Sequence, residues 1–350
     1  MNNTKIIIIG AGLSGLMIAY LLQKKGIDVL ILEANTRIGG RIETVTGTTG
    51  ATMEMGATWF SKPHQHLIAL LDELNIEYFK QHTQGISFFE TMSFVPPQKF
   101  EISDAEEPSY RIVGGTATLI EKLVAEVGIQ NIKTQTKVTA IKEVDNQLEV
   151  TGSDESLYKA ATVISTLPPH LLIQTITFEP HLPDSMQQLA QKTHTWMGDS
   201  IKFAVEYASP FWRENNYSGT LFSQASIIQE MYDHSTADYK GYALKGFLNG
   251  GTHTLSEEER KAKVILQLTT IFGAEAADYV EYHEKVWRDE PLTFFPYEQL
   301  LMGHENNGHP DYKKPLSNNK LYISGSETAS ANPGYMEGAI VAAKNIASQF

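Results

Sequence analysis

A glycine-rich loop between a strand and a helix constrains this chain more than any other feature. Four consecutive isoleucines, Ile6 to Ile9, lead into Gly10, Gly12 and Gly15, and an apolar helical segment follows. A β-branched run of this kind predicts a strand buried on both faces of a parallel sheet. The first glycine permits a tight turn, the second lets a pyrophosphate approach the backbone, and the third lets helix and strand pack closely. The sequence therefore predicts a βαβ unit that binds a dinucleotide.

The residues after the second predicted strand narrow the choice of nucleotide. Segment 27–32 predicts that strand, and Glu33 ends it where a carboxylate accepts hydrogen bonds from ribose hydroxyls. The same carboxylate repels a 2′-phosphate, which disfavours NADP. The glycine motif alone does not separate FAD from NAD. Gly39, Gly40 and Arg41 then provide a second close backbone approach and a charge able to reach phosphate, which an NAD dehydrogenase has no evident need for.

Composition excludes several classes of protein. Among 350 residues, 28 Lys and Arg stand against 41 Asp and Glu, so a surface that neutralises nucleic-acid phosphates is not expected. The acidic balance mildly favours cationic ligands such as protonated amines. There is no cysteine, which excludes disulfides, thiolate metal sites, cysteine nucleophiles and a flavin linked through sulfur. The 350 residues are enough for two domains.

The chain carries no sign of a membrane or a metal. No apolar run reaches about 18 residues, so no membrane span is expected. The first residues lack the apolar core and cleavage site of a signal peptide, so we expect a cytoplasmic protein. His304 and His309 flank a carboxylate, but their spacing fits no helical ligand pair and Asn-Gly marks a turn, so no metal site is predicted.

Apolar patterning predicts the remaining elements. They are helices over 64–76, 116–127 and 257–272, β-like pieces over 85–112, a hairpin over 132–150, strands over 162–166, 200–207 and 321–324, and a last helix from about Tyr335. Alternation in 200–207 places Ile201 and Phe203 on one face and Lys202 on the other. By position alone, Lys202 would be a solvated strand lysine, the usual environment of lysine.

Taken together, these segments resemble the flavin-containing amine oxidases of the monoamine oxidase type. The resemblance extends over nearly the whole chain, and its most specific block is 325–339. The segments that carry it are 10–15, 33–34, 38–41, 54–59, 111–116, 163–169, 200–202, 210–213, 325–329 and 334–339.

The resemblance implies a set of cofactor contacts. Gly10, Gly12, Gly15 and Arg41 would hold the pyrophosphate of FAD, with Gly40 in the second close approach, and Glu33 would bind the adenosine ribose. Gly56 and Ala57 would lie beside the flavin, Val138 near the adenine, and Glu327 towards the ribitol or pyrophosphate. Met336 would offer its backbone N–H to the flavin C2 carbonyl, where a helix N-terminus stabilises the negative charge of the reduced ring.

The resemblance also implies catalytic residues. Lys202 would bind a water near flavin N5 and assist reoxidation, and Tyr335 would form one wall of an aromatic cage for the amine. Either Phe294 or Trp287 could form the second wall, because the family's cysteine and tyrosine are both missing from segment 287–296. The flavin is therefore expected to be non-covalent. Segment 79–110 replaces a long helical insertion of the family, so the substrate pocket is expected to be smaller, more open or closed by a partner chain.

We therefore expect a two-domain α/β flavoprotein. The FAD domain would comprise 1–80, 110–195 and 290–350, and a smaller, mainly β substrate domain would comprise 81–109 and 196–289. The implied reaction is hydride transfer from the carbon next to a neutral amine to flavin N5, followed by reoxidation with O2 to give H2O2. One alternative is an FAD enzyme for a non-amine, such as a dihydronicotinamide, as in renalase-like flavoproteins, or a desaturation substrate. Another is a non-catalytic flavin-binding protein.

Overall fold

The computed structural model describes residues 3–103 and 106–350. Its strands are β1 (Asn3–Ile9), β2 (Val29–Leu32), β3 (Thr44–Thr46), β4 (Thr52–Glu54), β5 (Tyr78–Lys80), β6 (Ile86–Glu90), β7 (Gln98–Glu101), β8 (Tyr110–Ile112), β9 (Ile132–Lys133), β10 (Val138–Val144), β11 (Gln147–Gly152), β12 (Leu157–Ser165), β13 (Thr177–Glu179), β14 (Ile201–Tyr207), β15 (Tyr217–Ser223), β16 (Ile228–Asp233), β17 (Tyr242–Leu248), β18 (Tyr279–Val286) and β19 (Leu321–Ile323). Its α-helices are α1 (Leu13–Gln23), α2 (Gln65–Glu73), α3 (Ala117–Val127), α4 (Pro169–Thr175), α5 (Asp184–Gln191), α6 (Phe211–Glu214), α7 (Glu257–Phe272) and α8 (Met336–Ala347).

The larger sheet is built around the isoleucine run. Its strand order is β13-β10-β11-β12-β1-β2-β9, with β19 also paired to β12. Strand β1 pairs in parallel with both β2 and β12. Ile6 and Ile8 pack in one core with α1, α3 and α8, and Ile7 and Ile9 pack in a second core on the opposite face. This confirms the predicted strand with two buried faces.

Strand β12 is longer than the sequence predicted. It begins at Leu157 instead of Thr162. Its first half pairs antiparallel with β11, from Leu157 opposite Thr151 to Ala160 opposite Leu148. Burial in this half rises from the exposed Leu157 through two half-buried residues to the buried Ala160, so it lacks the continuous buried run that marks the end of the strand.

The second sheet has the strand order β18-β14-β17-β16-β15-β6-β7. Ile201, Phe203, Val205 and Tyr207 of β14 pack in one hydrophobic core with Val264 and Leu268 of α7. The opposite face of β14 contacts the segment after β3, where Thr49 donates its backbone N–H and its hydroxyl to the buried Glu206 carboxylate. The predicted alternation is confirmed, and Lys202 lies on the face that contacts Gly56, in the segment after β4.

Helix α8 packs beside α1 on one face of the larger sheet. Met336, Ile340, Ala343 and Ala347 belong to the core that contains Ile6 and Ile8. Within the described residues, no helix has both the length and the apolar composition to cross a membrane. The domain boundaries and the cytoplasmic location expected from the sequence stay predictions.

Candidate active site

One long cavity is lined by both sheets. From the larger sheet and its loops come Ile9, Gly10, Gly12, Glu33 and Val138, and from the second sheet come Lys202 and Phe247. The N-terminus of α8 adds Tyr335 and Met336. Of the residues predicted from the sequence, Gly10, Gly12, Glu33, Gly40, Arg41, Ala57, Val138, Lys202, Tyr335 and Met336 line this cavity, whereas Gly15, Gly56, Glu327 and Phe294 do not.

The backbone at Gly40 approaches the glycine loop closely, and both line the cavity. A Cβ added to Gly40 would lie 3.2 Å from the Cα of Gly12, and Gly40 has a φ of 59°, which favours glycine. Helix α1 begins at Leu13, so its first N–H groups point out of the helix at this place. These residues fit a pyrophosphate. Gly15 has the packing role expected of a third glycine, because its Cβ would lie 2.0 Å from the carbonyl oxygen of Gly10.

Glu33 holds the glycine loop and faces the nucleotide end of the cavity. Its carboxylate accepts a hydrogen bond from the backbone N–H of Ala11 at 2.7 Å and another from Asn35 at 2.8 Å. Both bonds fix the carboxylate at the carboxyl end of β2, beside Val138 of β10 in the cavity wall. The pair fits an adenosine, with a polar group for the ribose and an apolar wall for the base.

Arg41 is held by a buried ion pair behind the cavity wall. Its guanidinium donates to both carboxylate oxygens of Glu327, at 2.6 and 2.9 Å, and to the hydroxyl of Ser326 at 2.9 Å. Burial alone would raise the pKa of Glu327, but the charge and hydrogen bonds of Arg41 outweigh it and hold the pKa below its usual value. Glu327 itself does not line the cavity, whereas Arg41, which binds it, does.

Lys202 is buried at the second-sheet end of the cavity and is not solvated. Its Nζ donates to the carbonyl oxygen of Gly56 at 2.5 Å and lies 5.1 Å from the centre of the Phe247 ring. Burial lowers the pKa of Lys202 to about 8, with Glu54 and Glu230 opposing the shift. Lys202 and Gly56 thus contact each other directly, and Ala57 beside them lines the cavity.

Aromatic rings surround Tyr335 at the mouth of the cavity. Tyr335 is 40% exposed and stacks on His304, with ring centres 5.7 Å apart. His304 in turn stacks on Trp196 at 4.0 Å, and the Trp196 ring lies 5.7 Å from Tyr335. His64 approaches the other side of Tyr335 at 6.1 Å. His304, for which the sequence predicted no metal site, and His64 thus both pack near the predicted cage tyrosine.

Of the two residues expected for the second aromatic wall, Trp287 lines the cavity and Phe294 does not. Phe294 is buried away from the cavity, with its ring 5.9 Å from that of Tyr297 and its edge against Gly198. Trp287 does line the cavity, and its indole N–H donates to the carbonyl oxygen of Met55. A short helical turn at 287–289 follows β18 directly. The Trp287 ring lies at the cavity, whereas Phe294, further along the chain, does not.

Several site residues were missed from the sequence. Trp59, Phe247 and Trp196 line the same cavity, and the fully buried Lys245 lies beneath Trp59, with its Nζ 4.1 Å from the ring centre. Alternation in segment 242–248 could have paired Lys245 with Phe247, whereas Trp196 lies in a loop that has no local pattern. Within the part of the chain that the structure describes, no group of three or more acidic, histidine or cysteine residues is placed to hold a metal.

A glycine-lined nucleotide cradle that opens onto an aromatic chamber with a buried lysine defines the class of dinucleotide-dependent oxidoreductases. Comparison with known proteins then fixes the group within this class. The chain belongs to the family described as flavin containing amine oxidoreductase, whose model matches residues 13–90 and 84–349. The protein is thus a flavin-dependent oxidoreductase.

Amine oxidases stand among the relatives and the solved structures that resemble this chain. The probable flavin-containing monoamine oxidase A of Dictyostelium discoideum is 24% identical over 96% of this chain and 94% of its own length. Putrescine oxidase of Kocuria rosea is 25% identical over 82% of this chain and 83% of its own length. The solved structure of wild-type putrescine oxidase bound to putrescine shares the fold with a TM-score of 0.87, 23% identity and 99% of each chain covered. Cyclohexylamine oxidase from Brevibacterium oxydans has a TM-score of 0.87 at 22% identity, with 99% of this chain and 98% of its own covered.

Proposed function

We propose that this protein oxidises small monoamines with a non-covalently bound FAD and passes the electrons to O2. The observation that carries the proposal is the position of Lys202, a buried amine on the second sheet that lines the same cavity as the nucleotide-binding glycines. FAD, when bound, supplies the hydride acceptor for the amine and the electron donor for O2, with H2O2 as the product.

Non-covalent binding is supported by chemistry and by shape. The sequence has no cysteine that could form a thioether to the flavin. The cradle of Gly12 and Gly40, the charge of Arg41 and the carboxylate of Glu33 offer contacts along a whole dinucleotide. Such contacts, together with the N-termini of α1 and α8, retain a cofactor without a covalent bond.

The walls of the chamber support a substrate with a single nitrogen on an apolar body. Trp59, Phe247, Trp287 and Tyr335 provide apolar ring surfaces, and aromatic faces attract and orient an amine. Among the described residues that line the cavity, the one carboxylate is Glu33, which lies at the nucleotide end. The distal ammonium group of a diamine would therefore lack a counter-charge in the chamber, and burial of an unpaired charge is costly.

The basic group of Lys202 fits the oxidative half of the reaction. A cation next to the reacting centre stabilises the negative charge that develops when electrons pass to O2. The hydrogen bond from Lys202 to Gly56 fixes the direction of this amine, and the surrounding rings exclude bulk water. No side-chain nucleophile is needed for this chemistry.

The proposal is tested by turnover. The purified protein, saturated with FAD, is mixed with arylalkyl and cycloalkyl monoamines, with putrescine and with a dihydronicotinamide, and peroxide release and anaerobic bleaching of the flavin are recorded. We expect bleaching and peroxide with monoamines and much weaker activity with putrescine. Bleaching by the dihydronicotinamide alone would replace the amine with a nicotinamide substrate, and no bleaching by any donor would favour a non-catalytic flavin protein.

A further inference from the structure

A second lysine lies buried beside Lys202 on the same face of the second sheet. In the antiparallel pair of β14 and β17, Lys202 is opposite Phe247 and Ala204 is opposite Lys245. The two lysines are thus diagonal neighbours across adjacent strands, within reach of each other's long side chains. Lys245 is completely buried, and its Nζ lies 4.7 Å from the centre of the Phe247 ring that also faces Lys202.

A continuous chain of hydrogen bonds joins the two amines. The Nζ of Lys245 donates to the hydroxyl oxygen of Thr58 at 2.9 Å. The hydroxyl of Thr58 donates to the carbonyl oxygen of Gly56 at 3.2 Å, and this carbonyl also accepts the hydrogen bond from Lys202. Both lysines therefore bind one short segment, 56–58, and that segment supplies Ala57 and Thr58 to the cavity wall.

With the residues that the structure describes, neither lysine forms an ion pair, although Glu54 and Glu230 lie near enough to oppose the lowering of both lysine pKa values. In the ion pairs formed by residues 3–103 and 106–350, neither Lys202 nor Lys245 takes part. Burial lowers the pKa of Lys245 well below its usual value, and the positive charge of Lys202 lowers it further. The groups that face Lys245 from the neighbouring elements are Glu54 of β4, Arg111 of β8, Lys202 of β14, Glu230 and Tyr232 of β16, and His234.

We propose that Lys245 is a positioning residue, which acts on Lys202 through the hydroxyl of Thr58 and the carbonyl of Gly56. Lys245 is the neutral amine of the pair and Lys202 is the amine that takes the proton. By donating to Thr58 and packing under Trp59, Lys245 holds segment 56–58 in the position where the Gly56 carbonyl stabilises the ammonium form of Lys202. The catalytic meaning of this arrangement rests on the proposed function, but the arrangement itself does not.

Removal of Lys245 has a definite expected sign. In this proposal Lys245 is neutral while Lys202 titrates, so its loss removes no repulsion. It loosens Thr58 and Gly56, so the ammonium form of Lys202 loses part of its hydrogen bond and the pKa of Lys202 falls below about 8. A simple like-charge neighbour would give the opposite result, a rise in the pKa of Lys202.

The experiment measures the pKa of Lys202 directly in the FAD-loaded protein. Lysines labelled with ¹³C at Cε are titrated by NMR, and the Lys202 signal is assigned with Lys202→Met. The variants are Lys245→Met, Thr58→Val and Thr58→Ser, with Lys261→Met as the matched control. Lys261 lies over the Tyr279 ring on the other side of the sheet, so the control removes a lysine–ring contact far from segment 56–58.

We expect Lys245→Met and Thr58→Val to lower the pKa of Lys202, and Thr58→Ser and Lys261→Met to leave it as in the wild type. The rate of flavin reoxidation should fall about tenfold in the first two variants. This is less than the roughly hundredfold loss that a 1 Å misplacement can cause, because Lys202 itself remains in place. A pKa of Lys202 that is unchanged or raised in these variants would overturn the proposal. If Lys245→Met fails to fold, the Thr58→Val and Thr58→Ser pair decides. A correct pKa pattern without amine turnover would refute the proposed function and leave the network intact.

Discussion

Arg41 and Glu327 form an ion pair with two hydrogen bonds, which joins segment 39–41 to the connection between β19 and α8. The two N···O distances are 2.6 and 2.9 Å, and the carboxylate of Glu327 is completely buried. Arg41 also donates to the carbonyl oxygen of Trp196 at 3.2 Å. One guanidinium thus joins segment 39–41 to the C-terminal segment at Glu327 and to the loop that carries Trp196.

Replacement of Arg41 by Leu is therefore expected to destabilise the protein strongly. It leaves the Glu327 carboxylate buried without a counter-charge, which costs roughly 3 to 5 kcal/mol of unfolding free energy at pH 7. In the wild type the pKa of Glu327 is lowered despite burial, chiefly by Arg41. In the variant burial is opposed only by the hydrogen bonds of Ser326 and of the backbone, and we expect burial, the largest effect, to raise the pKa. The deficit should thus shrink as the pH falls from 7 towards 4, because protonation removes the buried charge. Urea unfolding at several pH values measures it.

The double variant Arg41→Leu/Glu327→Leu is the control for this pair. It replaces both charges by apolar side chains of similar size, so part of the stability at pH 7 should return and the pH dependence should weaken. A double variant as unstable as Arg41→Leu alone would show that the loss comes from the other partners of Arg41.

Lys202 is expected to control the reaction with oxygen in a pH-dependent way. Its pKa of about 8 means that the amine is a cation below this pH and neutral above it. The rate of flavin reoxidation should fall as the pH rises through about 8, because the neutral amine no longer stabilises developing negative charge. Lys202→Met should slow reoxidation about a hundredfold below pH 8, leave FAD bound and abolish this pH dependence. Stopped-flow absorbance measures the rate, and a variant that keeps the wild-type pH profile would contradict the role.

The glycine-lined half of the cavity was predictable because its residues are close together in sequence. Gly10, Gly12 and Gly15 follow a strand directly, and Glu33 ends the next strand of the same βαβ unit. Local geometry alone thus brings Gly10, Gly12 and Glu33 to one cavity. The face of β14 that carries Lys202 was predictable for the same reason, since alternation is a property of one strand.

The chamber was less predictable because its residues meet only through long-range register. Lys245 reaches Lys202 because Ala204 is opposite Lys245, and no local pattern fixes that pairing. Trp196 reaches Tyr335 from a loop, and Phe294 turns towards Tyr297 although its place in the sequence suggested a cage wall. The direction of a loop side chain depends on its tertiary neighbours, which one sequence does not reveal.

Gly15 is expected to tolerate no side chain. A Cβ there would lie 2.0 Å from the carbonyl oxygen of Gly10, so Gly15→Ala must push α1 away from β1. We expect a loss of roughly 1 to 3 kcal/mol in stability and weaker retention of FAD, because the helix N-terminus moves from the phosphate position. The matched control is Gly250→Ala, where the nearest atom would be 4.0 Å away. Thermal unfolding and FAD release measure both effects, and equal behaviour of the two variants would contradict the packing role.

The ring of Tyr335, and not its hydroxyl, is expected to orient the amine. The ring is stacked on His304 and stands beside Trp196, which fixes its face at the mouth of the cavity. Tyr335→Ala should lower kcat/KM for a monoamine about twofold to fivefold, the size of one exposed ring–cation contact. Tyr335→Phe should stay close to the wild type. Tyr322→Ala, which removes a ring packed against Phe350, serves as the control and should leave kcat/KM unchanged. An equal loss in Tyr335→Phe and Tyr335→Ala would assign the effect to the hydroxyl instead.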